Sequence, residues 1–203
     1  MPTRVFAGVD LSMTGLALVT ATPEAVAHLD WSEIDHVTIG ESLPADATPL
    51  QKALRIARLR HAAILWLRKR APTDVVFEAY PVSMQGEGGG GGGLRSVALV
   101  IEMGGALRAS IAENFGIGAI DVQAGTARKI LFGGSMSHAR LAIPLRGSGK
   151  RPGEKGALKL AVRRELESLG ARFATPDECD AFVALNGGLA ALGLEHWGAE
   201  VDA

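Results

Sequence analysis

The chain of 203 residues holds a single cysteine, Cys179, and only 5% of its residues are aromatic. One thiol excludes a disulfide scaffold and any cysteine-rich zinc module. The five histidines (His28, His36, His61, His138 and His196) are scattered without the one-turn spacing that a zinc hydrolase helix needs. Long apolar runs are also missing. The uncharged stretch 181–194 is too short to cross a bilayer and carries Asn186, Gly187 and Gly188. The beginning, MPTRVFAGVD, lacks a basic segment followed by an apolar one, so no secretory signal and a cytoplasmic location are expected. There is no internal repeat. What remains, 47% hydrophobic and 21% charged, suits one domain able to bury roughly 70% of its unfolded surface.

The formal net charge of −1 conceals a strong asymmetry. Residues 1–54 hold two basic and seven acidic side chains, and residues 165–203 hold one and eight. Residues 128–164 hold ten basic side chains against Glu154 alone, a local charge of +9. Such a stretch suits a phosphate-binding face, because each Lys or Arg can replace a condensed counterion. A solvated surface loop is the alternative.

Residues 4–11 are almost continuously apolar and predict a strand buried on both faces, closing on Asp10. Turn residues at 13–15 lead to a second strand over 16–21, and a weaker strand pattern covers 36–39. An apolar stripe including Leu50, Leu54, Ala57 and Leu65 predicts a helix over 50–70, ended by Pro72. Val75, Val76 and Phe77 form a short strand that terminates in Glu78. A helix follows over 95–114. Its interior pair Gly104 and Gly105 costs about 1 kcal/mol per residue against alanine, so another element is expected to come close there. A strand over 117–122 and helices over 157–169 and 176–192 complete the pattern. Between them lie a mobile glycine-rich loop over 85–94, with six consecutive glycines, and a basic loop over 133–156. The order βββαβαβαα predicts one α/β domain over 1–203, a mixed five-stranded sheet flanked by helices.

Four acids stand out by position. Asp10 and Glu78 end apolar strands, where open α/β sheets carry their sites. Asp177 and Asp180 lie at the start of the last helix, with Thr175 as N-cap and Pro176 at the first helical position. Glu178 completes a capping box, its side chain expected on the Thr175 backbone N–H. That leaves Asp177 and Asp180 on one face, continued by the small Ala181, Ala184 and Gly188. Hard divalent cations take oxygen ligands, and two of them about 3.5–4 Å apart can activate water and stabilise the leaving oxygen of a phosphodiester. The pair on the helix could equally serve the helix dipole alone. Asp10, at the end of a buried strand, needs a partner charge.

The stretches GVDLSMTGLA (8–17), VFE (76–78), the Lys- and Gly-rich run through Lys155, and DECDA (177–181) occur in an order that resembles the RuvC family of Holliday junction resolvases, nearest to its phage-encoded branch. The resemblance implies an RNase H-like fold and a homodimer, with the helix over 95–114 at the dimer contact. It implies two Mg²⁺ or Mn²⁺ ions held by Asp10, Glu78, Asp177 and Asp180, with Asp10 bridging both. It further implies symmetric nicking of two strands at a four-way DNA junction, leaving 5′-phosphate and 3′-hydroxyl ends. Lys129 and Lys155 would lie near the scissile phosphate, Lys155 in a catalytic role, with Lys150 and Arg151 as further DNA contacts. The glycine run replaces a family loop that touches the junction centre, leaving Tyr80 and Met84 as the bulky residues nearby.

Two other classes compete. The segment DLSMTG also resembles the first phosphate loop of actin-like ATPases, which close two such domains over a nucleotide. A structure-selective DNA-binding protein without catalysis would lack one of the acids. Within nucleases, a broader debranching activity on forks and flaps is the alternative to junction resolution.

Overall fold

The structure, a computed structural model, describes residues 3–12, 14–44, 46–79, 92–132 and 154–198, the side chains of 92–97 and 154–158 excepted. One sheet contains β1 (Phe6–Leu11), β2 (Gly15–Ala21), β3 (Asp35–Gly40), β4 (Asp74–Ala79) and β5 (Ala119–Gln123), in the order β3-β2-β1-β4-β5. β2 runs antiparallel to β1 and β3, whereas β4 is parallel to β1 and β5. The sheet is therefore mixed and five-stranded, as the order of apolar runs predicts. Its helices are α1 (Pro23–Ala27), α2 (Pro49–Arg68), α3 (Gly92–Phe115), α4 (Ala124–Phe132), α5 (Glu154–Ser168) and α6 (Pro176–Ala191). Among the described residues, no helix is long and apolar enough to cross a membrane.

Local chemistry accounts for most boundaries. Thr48 and Gln51 form a reciprocal capping box ahead of α2, with Pro49 at its first position. The helix ends at Arg68, before Pro72, because the chain turns through Ala71 at φ 46°. Two helices were absent from the sequence pattern. The five-residue α1 is fixed by Thr22, whose Oγ1 accepts from the Ala25 N–H. In α4, Gly125 and Thr126 are weak helix formers, and burial of Ala127 and Leu131 beside α6 overrides them. Helix also extends into both expected loops: α3 starts at Gly92 rather than Arg95, and α5 at Glu154 rather than Ala157.

Side chains alternate across the strands, which divides the interior into two cores. Val9, Leu18, Val75 and Phe77 face α2 and α3. Phe6, Ala17, Val19 and Val76 face α6, whose residues 178–189 are all buried. Contact there is close because side chains are missing where backbones meet. A Cβ on Gly8 would lie 2.1 Å from the Ala181 carbonyl oxygen, and one on Gly188 would lie 2.4 Å from Val76 Cγ2. The glycine pair inside α3 splits: a Cβ at Gly104 would stand 3.1 Å from Leu11 Cδ1, while Gly105 meets nothing within 4 Å.

The same substitution therefore has opposite signs at two sites. Gly8→Ala must push α6 off the sheet and is expected to cost at least about 1–3 kcal/mol. Gly105→Ala, on the exposed side of α3, is expected to gain about 0.5–1 kcal/mol. Urea unfolding of both variants checks the pair.

Candidate metal centre

The parallel pairing of β1 with β4 runs through Val9 opposite Phe77. One residue further, it brings Asp10 beside Glu78. Both residues share strand parity with Phe6 and Val76 and so rise on the α6 side of the sheet. The first turn of α6 begins where these strands end. Thr175 Oγ1 accepts from the Glu178 N–H at 3.2 Å, and the one-turn spacing turns Asp177 and Asp180 to the same face. One carboxylate oxygen from each of Asp10, Asp177 and Asp180 then lies within 4.8 Å of the others. Asp10 and Asp180 are only 6% and 1% exposed.

Two cations answer this charge. Lys159, on α5, places Nζ 2.7 Å from Asp177 Oδ1, 2.9 Å from Asp180 Oδ2 and 3.5 Å from Asp10 Oδ2. Arg128, on α4, donates from Nη2 to Asp180 Oδ1 at 3.1 Å. Compensation is incomplete. Asp10 Oδ2 and Asp180 Oδ2 are buried yet accept no hydrogen bond of good geometry, and Arg128 Nε is unpartnered as well. Burial raises the Asp10 carboxyl well above the usual range; Lys159 opposes this, and Glu78, Asp180 and Asp177 add to it. Glu78 is pushed up to about 7, by burial first and then by Asp180. Burial pulls the Lys159 ammonium down, but Asp10, Asp180 and Asp177 outweigh it and hold it above the usual lysine range. An all-oxygen donor set, its buried oxygens gathered around a single lysine ammonium, fits a hard divalent cation.

No protein-family model and no curated protein matches the sequence. Solved structures do. Thermus thermophilus RuvC in complex with a Holliday junction substrate superposes with a TM-score of 0.57 at 16% identity, covering 95% of this chain and 98% of that one. A second Thermus thermophilus RuvC structure gives 0.51 at 19% identity, covering 95% and 99%. The chain has the fold of RuvC. At such low identity the RuvC likeness concerns the architecture, an α/β fold of the RNase H-like kind.

On this RuvC-like frame the expected residues are placed as follows. Asp10, Asp177 and Asp180 meet, and Glu78 joins them electrostatically. Lys129 is exposed on α4 and does not enter the cluster; its neighbour Arg128 does. Lys155 falls in the first turn of α5, its side chain outside the described residues. Tyr80, Met84, Lys150 and Arg151 lie outside the described residues, with most of the loops 85–94 and 133–156. Glu178 corrects the capping expectation. Its Oε2 accepts from the Ala174 N–H at 2.7 Å rather than from Thr175, and also faces His36 Nδ1 at 3.0 Å. Its Oε1 accepts from Thr38 Oγ1 at 2.8 Å. Lys159 and Arg128 had no distinguishing mark in a run of ten basic residues. Recognising α4 as a helix would have separated Arg128 from Lys129, since Ala127 and Leu131 fix its buried phase.

An acid whose carboxyl is raised by folding costs stability above its unfolded pKa, and the cost grows as pH rises toward the folded value. Asp10→Asn should therefore melt higher than the parent in EDTA at pH 7, by about 2–4 °C per kcal/mol recovered. The difference should vanish near pH 4, about where the unfolded Asp titrates. Melting curves at the two pH values check both the sign and the window.

Proposed function

We propose that the chain is a metal-dependent endonuclease that acts on branched DNA, four-way junctions above all, and works as a homodimer with Mg²⁺ or Mn²⁺. The observation that carries this is the cluster of Asp10, at the end of β1, with Asp177 and Asp180, at the start of α6, on a fold shared with a RuvC that was solved on a Holliday junction substrate. Asp10, Glu78, Asp177 and Asp180 would hold two ions. Bound there, the metal supplies charge stabilisation at the phosphodiester and a water of lowered pKa.

The chain's own groups do the positioning. Arg128 restrains Asp180 through Oδ1, leaving Oδ2 turned to the cluster. Glu178, Thr38 and Thr175 tie the first turn of α6 to the edge strand β3, so Asp177 and Asp180 are presented from a fixed turn. Glu78, near 7, can hold or release a proton at its carboxylate close to neutral pH. The basic run 128–164, including Lys150, Arg151 and Lys155, would bring in the DNA backbone and make binding salt-dependent. Actin-like nucleotide binding has no specific observation in its favour.

The homodimer is supported by large apolar side chains left in water near the start of α2 and on α3: Leu50 is 68% and Ile101 58% exposed. Leu50→Asp with Ile101→Asp should shift the protein from dimer to monomer in sedimentation equilibrium without loss of helix content. The activity itself is tested with end-labelled four-way junctions, forks and linear duplex, with and without Mg²⁺. Paired, symmetric nicks in the junction with 5′-phosphate ends are expected, and Asp180→Asn should remove them. Equal cutting of forks and flaps would make the enzyme a general debranching nuclease, and cutting that persists in EDTA would end the metal mechanism.

A further inference from the structure

We propose that Lys159 is a tethered occupant of the cation position: its ammonium holds Asp10, Asp177 and Asp180 together until a divalent ion displaces it. The inference rests on the carboxylate cluster being a metal site and concerns how that site is kept ready. Among the described residues, Lys159 is the cation that pairs with all three acids, at 2.7, 2.9 and 3.5 Å. An ammonium has three donors and no acceptor, so it can be shared among three carboxylates much as an ion is. Arg128 cannot do this, because it approaches Asp180 from the Oδ1 side.

Lysine and ion exclude each other. Mg²⁺ binds oxygen at about 2.0–2.1 Å, so an ion among these oxygens would come within roughly 3 Å of an unmoved Nζ, where the repulsion of like charges is large. Asp10 and Asp180 are buried and fixed, whereas the Lys159 side chain is 38% exposed at the end of a flexible stem. The lysine is the partner that can leave. Without it, Arg128 on Asp180 would be the one described cation left to compensate the three carboxylates whenever metal was absent.

The test compares wild type, Lys159→Met and Asp10→Asn without DNA. Calorimetric titration with Mn²⁺ should show Lys159→Met binding about tenfold more tightly than wild type, since a competing charge is gone. The variant should melt below wild type in EDTA and close to it in saturating Mn²⁺. Unchanged or weaker binding, or an equal loss of melting temperature in both conditions, would reduce Lys159 to a structural ion pair and overturn the proposal. Should Lys159→Met fail to fold, reductive methylation of wild type followed by peptide mass spectrometry decides. Labelling of Lys159 should rise when Mn²⁺ is added, and an unchanged rate counts against displacement. If wild type binds no Mn²⁺, or Asp10→Asn binds it as well as wild type, the metal site itself is wrong.

Discussion

Carboxylates held within 4.8 Å of one another and largely out of water cannot remain ionised together without positive charge at the same spot. The rest of the architecture can be read as the means of assembling that charge balance. β1 and β4 deliver acids to one end of the sheet, α6 lowers two more onto them, and α4 and α5 each contribute one cation. The positive end of α6 also points at the cluster, which favours Asp177 and Asp180 where they are. Balance is still not reached: Asp10 and Glu78 stay raised above the ordinary carboxylate range. A site whose carboxyls are held back from ionising by their own crowding is one suited to taking up a further cation.

The acids near the start of α6 show how helical phase separates roles within a short run. Asp177 and Asp180 are three residues apart and share the face above the strand ends. Glu178 lies between them in sequence but on another side of the helix, where Thr38, His36 and the Ala174 N–H engage both its oxygens. It anchors the turn that presents its neighbours. Cys179, in the same run, is buried and its thiol is pushed up to about 12, chiefly by burial, which makes it a packing group.

The five strands and the convergence of Asp10 with the Asp177–Asp180 pair were legible in the sequence because they depend on local patterns. Continuous apolar runs marked β1 and β4, and the residue closing each run was an acid at the end of an interior strand. Thr175 and Pro176 announced the start of α6, while Ala181, Ala184 and Gly188 announced its close approach. What stayed hidden depends on tertiary contact. The helical state of α4 was masked by Gly125 and Thr126 at its start and is held by packing of Ala127 and Leu131 on α6. That Arg128 and not Lys129 reaches the acids, and that Lys159 does so from α5, depends on helix phase and on where α4 and α5 cross α6. Glu178 was assigned correctly as structural, but its partner across the sheet edge, Thr38, is 140 residues away, beyond any local rule.

The same division explains why the fold can persist at 16–19% identity to RuvC. The requirements that cannot be relaxed are few. The candidate site would add a demand of its own, separate from the fold's: acids keeping strand parity at two adjacent strand ends, and two more one helical turn apart. Small residues must remain where α6 meets the sheet, at Gly8 and Gly188, because a Cβ there would strike backbone or a β-branched side chain. Elsewhere in the cores, volume and patterning suffice. The compensating cations are less constrained still, since a long basic side chain can reach the cluster from different helical positions.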